Sequence, residues 1–198
     1  MIAEPIETTT EVEMTRHRFT VAEYMRMAEV DLLGEDSRVE LIWGEIVEMS
    51  PIYIAHTSTV KRLISLLTKQ LGERIILGVQ DPVQLSDDSL PQPDIAVLRP
   101  QDNFYSQRQP GPDDILLLIE VADTSLRYDR RVKSKLYGAA GITEYWIVNL
   151  PGQQIEVYRE PRPNGYRTVT HYAPGETLSP LAFADVSLRV DEIVGTNG

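Results

Sequence analysis

Cysteine is missing from all 198 residues of this chain. Disulfides and thiolate metal sites are thereby excluded, and a reducing cytoplasm is the natural setting. Histidine is scarce: His17, His56 and His171 show none of the spacings of a zinc site. No glycine-rich phosphate loop of the common nucleotide-binding types occurs, and no Ser-His-Asp arrangement is suggested by spacing. Long apolar runs are lacking as well. Ile115-Leu116-Leu117-Leu118-Ile119 falls far short of the ~20 residues that span a bilayer, so no membrane partner is expected. The acidic, polar start, Met1-Ile2-Ala3-Glu4, has no basic or apolar region of the kind a secretory signal needs. Positive charge is in deficit: 19 Lys and Arg face 30 Asp and Glu, a formal net charge of -11. That balance is the strongest compositional argument against a phosphate-backbone partner.

At this length, with 42% hydrophobic residues, the chain suits one soluble domain with a sizeable core. Residues 1–16 are polar and acidic without any period and are expected to be disordered. A single domain is expected over residues 17–194, with a short tail at 195–198. Thr20 and Glu23 form a capping box ahead of a short helix. Residues 38–43 and 45–49 read as two strands joined at Gly44. The clearest amphipathic helix runs over 58–71, with Val60, Leu63, Ile64, Leu67 and Leu71 at helical spacing and Gly72 behind it. Strands are expected at 74–79, 83–85, 94–98, 115–121, 144–148, 155–158, 166–172 and 186–190. A surface loop holding Pro110, Gly111 and Pro112 precedes the 115–121 strand. A helix is expected over 129–140, ended by Gly141. The class is α/β, a mixed β-sheet flanked by helices with additional β-hairpins.

Two acidic residues stand beside very apolar strands. Asp94 opens the run Asp94-Ile95-Ala96-Val97-Leu98, and Glu120 follows Ile115 to Ile119. Burying a carboxylate at the end of such a strand is costly without a counter-charge, and two of them repel unless a cation lies between. Hard oxygen ligands of this kind suit Mg2+ or Mn2+. Between Thr124 and Gly138 lie five basic residues, Arg127, Arg130, Arg131, Lys133 and Lys135, against one acid, Asp129. This local window is able to hold phosphate while the remaining surface stays acidic; the alternative is a solvated helix face. Lys133 could orient or deprotonate a water, or else form a surface pair with Asp129 worth a few tenths of a kcal/mol. Lys135 points away around the helix. Together the residues suggest a metal-dependent phosphodiester hydrolase.

Pro93-Asp94, the run Glu120-Val121-Ala122-Asp123-Thr124-Ser125, then Asp129 and Lys133, then Gly141-Ile142-Thr143-Glu144-Tyr145-Trp146-Ile147-Val148, resemble the Uma-two family of restriction endonuclease-like proteins. Val39-Glu40-Leu41-Ile42, Gly44-Glu45, His56 and Gln80 join the resemblance, which runs from about Phe19 to Val190. The family is similar in fold to the PD-(D/E)xK nucleases. The resemblance implies a Mg2+-dependent (or Mn2+-dependent) endonuclease acting on DNA. Asp94 and Glu120 would be its metal ligands, Lys133 its catalytic lysine, and Glu40 a further acid that binds or positions a metal. Gln80, His56, Arg130 and Arg131 are candidates for substrate or phosphate contacts. One departure matters. The last position of the (D/E)xK motif is Ala122, on the same side of the strand as Glu120, and Lys133 from the next helix is the matching substitute. By analogy with nucleases that cut both strands of a duplex, a homodimer is expected. The competing readings are a non-catalytic nuclease-fold module that binds DNA or protein, and a hydrolase of a small phosphate ester.

Overall fold

The computed structural model describes residues 15–34 and 37–195. The segment expected to be disordered falls almost wholly outside this range, as does most of the expected tail. Helix α1, Val21–Glu29, opens on the expected capping box. The Glu23 backbone N–H donates to Thr20 Oγ1 (3.2 Å), and the Thr20 N–H donates to Glu23 Oε2 (2.8 Å), so two otherwise orphaned donors are satisfied. Strands β1 (Val39–Ile42) and β2 (Glu45–Glu48) pair antiparallel as a separate two-stranded sheet. Their turn places both Trp43 and Gly44 at positive φ. At Gly44 any Cβ would lie 2.6 Å from that of Arg18, so the close approach of the preceding segment requires glycine there.

Helix α2, Ile54–Leu71, buries Val60, Leu63, Leu67 and Leu71. It begins four residues earlier than the expected 58–71. Its first turn carries Ile54 and Ala55 into solvent, so apolar periodicity gives no sign of it. Six strands then build the main sheet in sequential order: β3 (Ile76–Gly78), β4 (Ile95–Leu98), β5 (Ile115–Ala122), β6 (Glu144–Asn149), β7 (Gln154–Arg162) and β8 (Gly165–Tyr172). All neighbours are antiparallel except β5 and β6. That parallel pair needs a crossover, which helix α3 supplies over residues 126–139. A small pair, β9 (Thr177–Leu178) and β10 (Leu188–Arg189), and helix α4 (Val190–Val194) complete the chain. The architecture is the expected mixed α/β sheet flanked by helices.

Two corrections concern strands. Residues 83–85 do not join a sheet, because the Val83 and Leu85 N–H groups go to the carbonyls of Pro91 and Ser89 in a local turn. The strand expected over 186–190 is only Leu188–Arg189, because Val190 already starts α4.

The sheet is apolar on both faces, which explains the unbroken apolar reading of β5. One face packs Leu117, Ile119 and Val121 against Leu63 and Leu67 of α2 and Ile193 of α4. The other packs Ala96, Leu118, Ala122 and Ile147 against Leu136 and Tyr137 of α3. Alternation along residues 95–98 of β4 and 117–122 of β5 therefore sends even-numbered side chains toward α3.

Candidate active site

That alternation decides where the two acids point. Ile95 pairs with Ile119 across β4 and β5; continuing the antiparallel register by one residue sets Asp94 opposite Glu120, both on the α3 side. Asp94 and Glu120 are 7% and 6% exposed. Asp94 is held from three directions. Its Oδ2 accepts from His56 Nε2 of α2 (2.9 Å) and from the Val121 N–H of β5 (2.8 Å), and its Oδ1 accepts from Gln80 Nε2 (3.1 Å). Gln80 reaches it from a left-handed backbone conformation, φ +56°, which a non-glycine residue adopts only when its surroundings enforce it. The Asp94 N–H in turn donates to Glu120 Oε2 (3.3 Å).

Lys133 arrives from α3. That helix is α-helical over Leu126–Tyr128 and Ser134–Ala139, but π-helical over Asp129–Lys133, where the Ser134 N–H donates to the Asp129 carbonyl five residues back. Such a bulge re-aims side chains inside a helix and is frequent at functional sites. Here Asp129 and Lys133 are both 3% exposed. The surface pair between them does not form. Asp129 accepts the Ser125 hydroxyl (2.6 Å), while Lys133 Nζ lies 2.5 Å from Glu40 Oε2 and 3.2 Å from Glu120 Oε1. Glu40, from β1, also accepts the Gln92 N–H (3.2 Å). Tyr137, one turn beyond Lys133, donates its hydroxyl to Glu120 Oε1 (2.7 Å).

The buried groups titrate abnormally. Burial raises the Glu120 carboxyl to about 8; Lys133 pulls it down, while Asp94, Asp129 and Glu40 push it up. Burial also lifts Asp129, to about 6, against the Ser125 hydrogen bond and the Lys133 charge. Burial alone would depress Lys133, but attraction to Glu120 and Glu40 wins and moves its ammonium well above the ordinary lysine value. Burial, followed by the Glu120 charge, raises the Tyr137 phenol strongly.

Asp94, Glu120, Glu40, Lys133 and His56 share one cleft of about 470 Å³. It is walled on one side by the β1–β2 hairpin and the segment after it, and on the other by the first turns of α3. Six acidic side chains against four basic ones line it. Among the described residues no three His, Asp or Glu side chains are spaced to ligate one ion. Asp94 and Glu120 are joined through the Asp94 N–H and line the same cleft, and both offer hard oxygens. Two carboxylates with water completing the shell is an arrangement Mg2+ accepts, so these residues fit a hard divalent cation.

The remaining candidates separate. Arg131 lines the cleft and is exposed. Arg130 does not line it: its guanidinium holds the buried Glu156 of β7 at 2.5 and 3.0 Å. Gln80 and His56 grip Asp94. Lys135 is exposed, and Ala122 is fully buried in the apolar core. Asp129 and Tyr137 belong to the cluster; Asp129 was among the residues of the family resemblance but was given no role in the site, and Tyr137 was not singled out. The spacing of Tyr137 one turn after Lys133 carried a signal; for Asp129 the i,i+4 spacing to Lys133 pointed to a pair between the two, which does not form.

The deciding comparison is at the family level, with a match to residues 21–191 under the description "Putative restriction endonuclease". The chain belongs to the Uma2 family. Among solved structures, one titled as a "putative nuclease belonging to DUF820" from Anabaena variabilis ATCC 29413 is similar with TM-score 0.66. The similarity covers 89% of this chain and 97% of that one at 14% identity. At such identity the likeness concerns the fold. Curated proteins give no match. Among the described residues no helix is long and apolar enough to cross a membrane.

Proposed function

We propose that this Uma2 protein is a divalent-metal-dependent nuclease hydrolysing DNA phosphodiester bonds. The observation that carries the reading is the meeting of Asp94 and Glu120 on one sheet face, with the Lys133 ammonium 3.2 Å from Glu120, at the floor of an open cleft. Asp94 and Glu120 would hold Mg2+ or Mn2+, which when bound supplies Lewis-acid stabilisation of charge on the scissile phosphate. His56, Gln80 and the Val121 N–H fix the Asp94 carboxylate, and Tyr137 fixes Glu120, so both are pre-organised. The pairs to Glu40 and Glu120 favour the ammonium form of Lys133, so its part is to orient water and to stabilise developing negative charge. Glu40 anchors that ammonium. The acidic excess in the cleft favours cation entry before the phosphate. Arg127 and Arg131 of α3 and Arg38 before β1 are the basic groups at its rim.

The test is cleavage of supercoiled plasmid in millimolar Mg2+ or Mn2+ by the wild type and by Asp94→Asn, Glu120→Gln and Lys133→Met. Nicking by the wild type only, abolished by EDTA, is the expected result. Cleavage that survives Asp94→Asn or Glu120→Gln refutes the site. The net charge of -11 favours the second reading, a non-catalytic nuclease-fold module, which predicts no cleavage by any of the four proteins. The homodimer is part of the first reading, and sedimentation as a species near the 22.4 kDa chain mass would remove it.

A further inference from the structure

Three large apolar residues in succession stand in solvent, the first of them lining the cleft. Ile52, Tyr53 and Ile54 are 40%, 51% and 89% exposed. With Pro51 before them they form a knuckle between the end of β2 and the first turn of α2. Ile52 and Pro51 line the cleft itself, continuing an apolar wall from Val47 and Met49. His56, in the first turn of α2, links this segment to Asp94. Nothing in the core requires the knuckle: none of residues 51–54 belongs to a core cluster. Arg127 and Arg131, both exposed, line the same cleft.

We propose that the cleft takes one unpaired nucleotide of a DNA strand, its base against the apolar knuckle and its phosphate toward the carboxylate floor. The inference rests on the nuclease reading and names its substrate class. A space of about 470 Å³ is of the size that encloses one small-molecule-sized unit, whereas a duplex segment is far larger. A wall of apolar side chains suits the face of a base, and sequence-tolerant stacking on such walls is how single strands are held. Exposed apolar wedges also unstack base steps. The rim supplies few positive charges, as expected when one or two phosphates are gripped and no long backbone is tracked.

The experiment compares cleavage of one labelled oligonucleotide as a single strand, as a perfect duplex, and as a duplex with a central single-nucleotide bulge, in Mg2+ or Mn2+. The proteins are the wild type and Ile52→Ser/Ile54→Ser, whose exposed positions leave the fold intact by thermal melting. The single strand and the bulge are expected to be cut on the order of ten- to a hundredfold faster than the duplex, which must first extrude its nucleotide. The double variant should lose most of that preference through a raised KM. Equal or faster cutting of the perfect duplex overturns this inference and leaves the nuclease reading standing. An unchanged preference in the double variant also overturns it. No cleavage of any substrate overturns both.

Discussion

Replacing Lys133 by methionine removes an ammonium from the centre of a buried acidic cluster while keeping a side chain of similar length. Lys133 is 3% exposed and is paired to Glu40 at 2.5 Å and Glu120 at 3.2 Å. Breaking a buried pair by deleting one partner costs ~3–5 kcal/mol, because the other charge stays desolvated. In a chain of this size each kcal/mol moves the melting temperature by ~2–4 °C, so a fall of about 6–20 °C is expected near neutral pH. The loss must also depend on pH. Burial raises the Glu120 carboxyl to about 8 in the folded protein against a reference of 4.5, and deleting Lys133 removes the charge that draws it back down. A group whose folded pKa exceeds its unfolded one binds more protons when folded, so stability falls as pH rises through that window. In the wild type that window closes at about 8, whereas without Lys133 it extends to higher pH, so the added deficit accrues above about 8. The deficit of Lys133→Met against wild type, measured by urea denaturation at pH 5, 7 and 9, should be smallest at pH 5 and largest at pH 9. A deficit under ~1 kcal/mol, or one equal at pH 5 and pH 9, would refute the buried placement of the ammonium between the two carboxylates.

The cation proposed for Asp94 and Glu120 must compete with the Glu120 proton, so Mg2+ should raise the melting temperature more at pH 8.5 than at pH 6.5. Differential scanning fluorimetry should show that difference disappear in Glu120→Gln. At Gly138 a Cβ would stand 2.0 Å from the Gly165 carbonyl oxygen, where α3 meets β8. Because backbone faces backbone, Gly138→Ala should cost at least ~2 kcal/mol in urea, and an unchanged midpoint would contradict the packing. Glu144, fully buried, accepts from the Trp146 indole (2.9 Å), Arg159 (2.6 and 2.9 Å) and the Leu181 N–H (2.6 Å). Glu144→Ala leaves these donors orphaned and should cost ~3 kcal/mol or more; a loss below ~1 kcal/mol would show that the network contributes little.

Legibility varied with the range of the interaction that mattered. The Thr20–Glu23 capping box is a local exchange of hydrogen bonds and was plain in four residues. The strand β5 was readable because both its faces are covered, which makes its residues uniformly apolar. The first turn of α2 was not, since Ile54 and Ala55 point to solvent and add nothing to the apolar stripe. The π turn at Asp129–Lys133 was invisible too. One extra residue per turn leaves no composition signal, yet it converts a presumed surface pair into two buried groups. Arg130 read as a phosphate contact by its basic neighbours alone; only the arrival of Glu156 from β7, 26 residues later, shows what it holds.

Local chemistry in the chain therefore determined the element types, the α/β class and the identity of the two strand-end acids, because periodicity and burial cost act between near neighbours. Tertiary structure alone decided that Glu40 reaches Lys133 across 93 residues, that His56 and Gln80 grip Asp94, and that a separate hairpin walls the cleft. Those contacts depend on sheet register and on how a helix is wound, and neither is written in the spacing of residues along the chain.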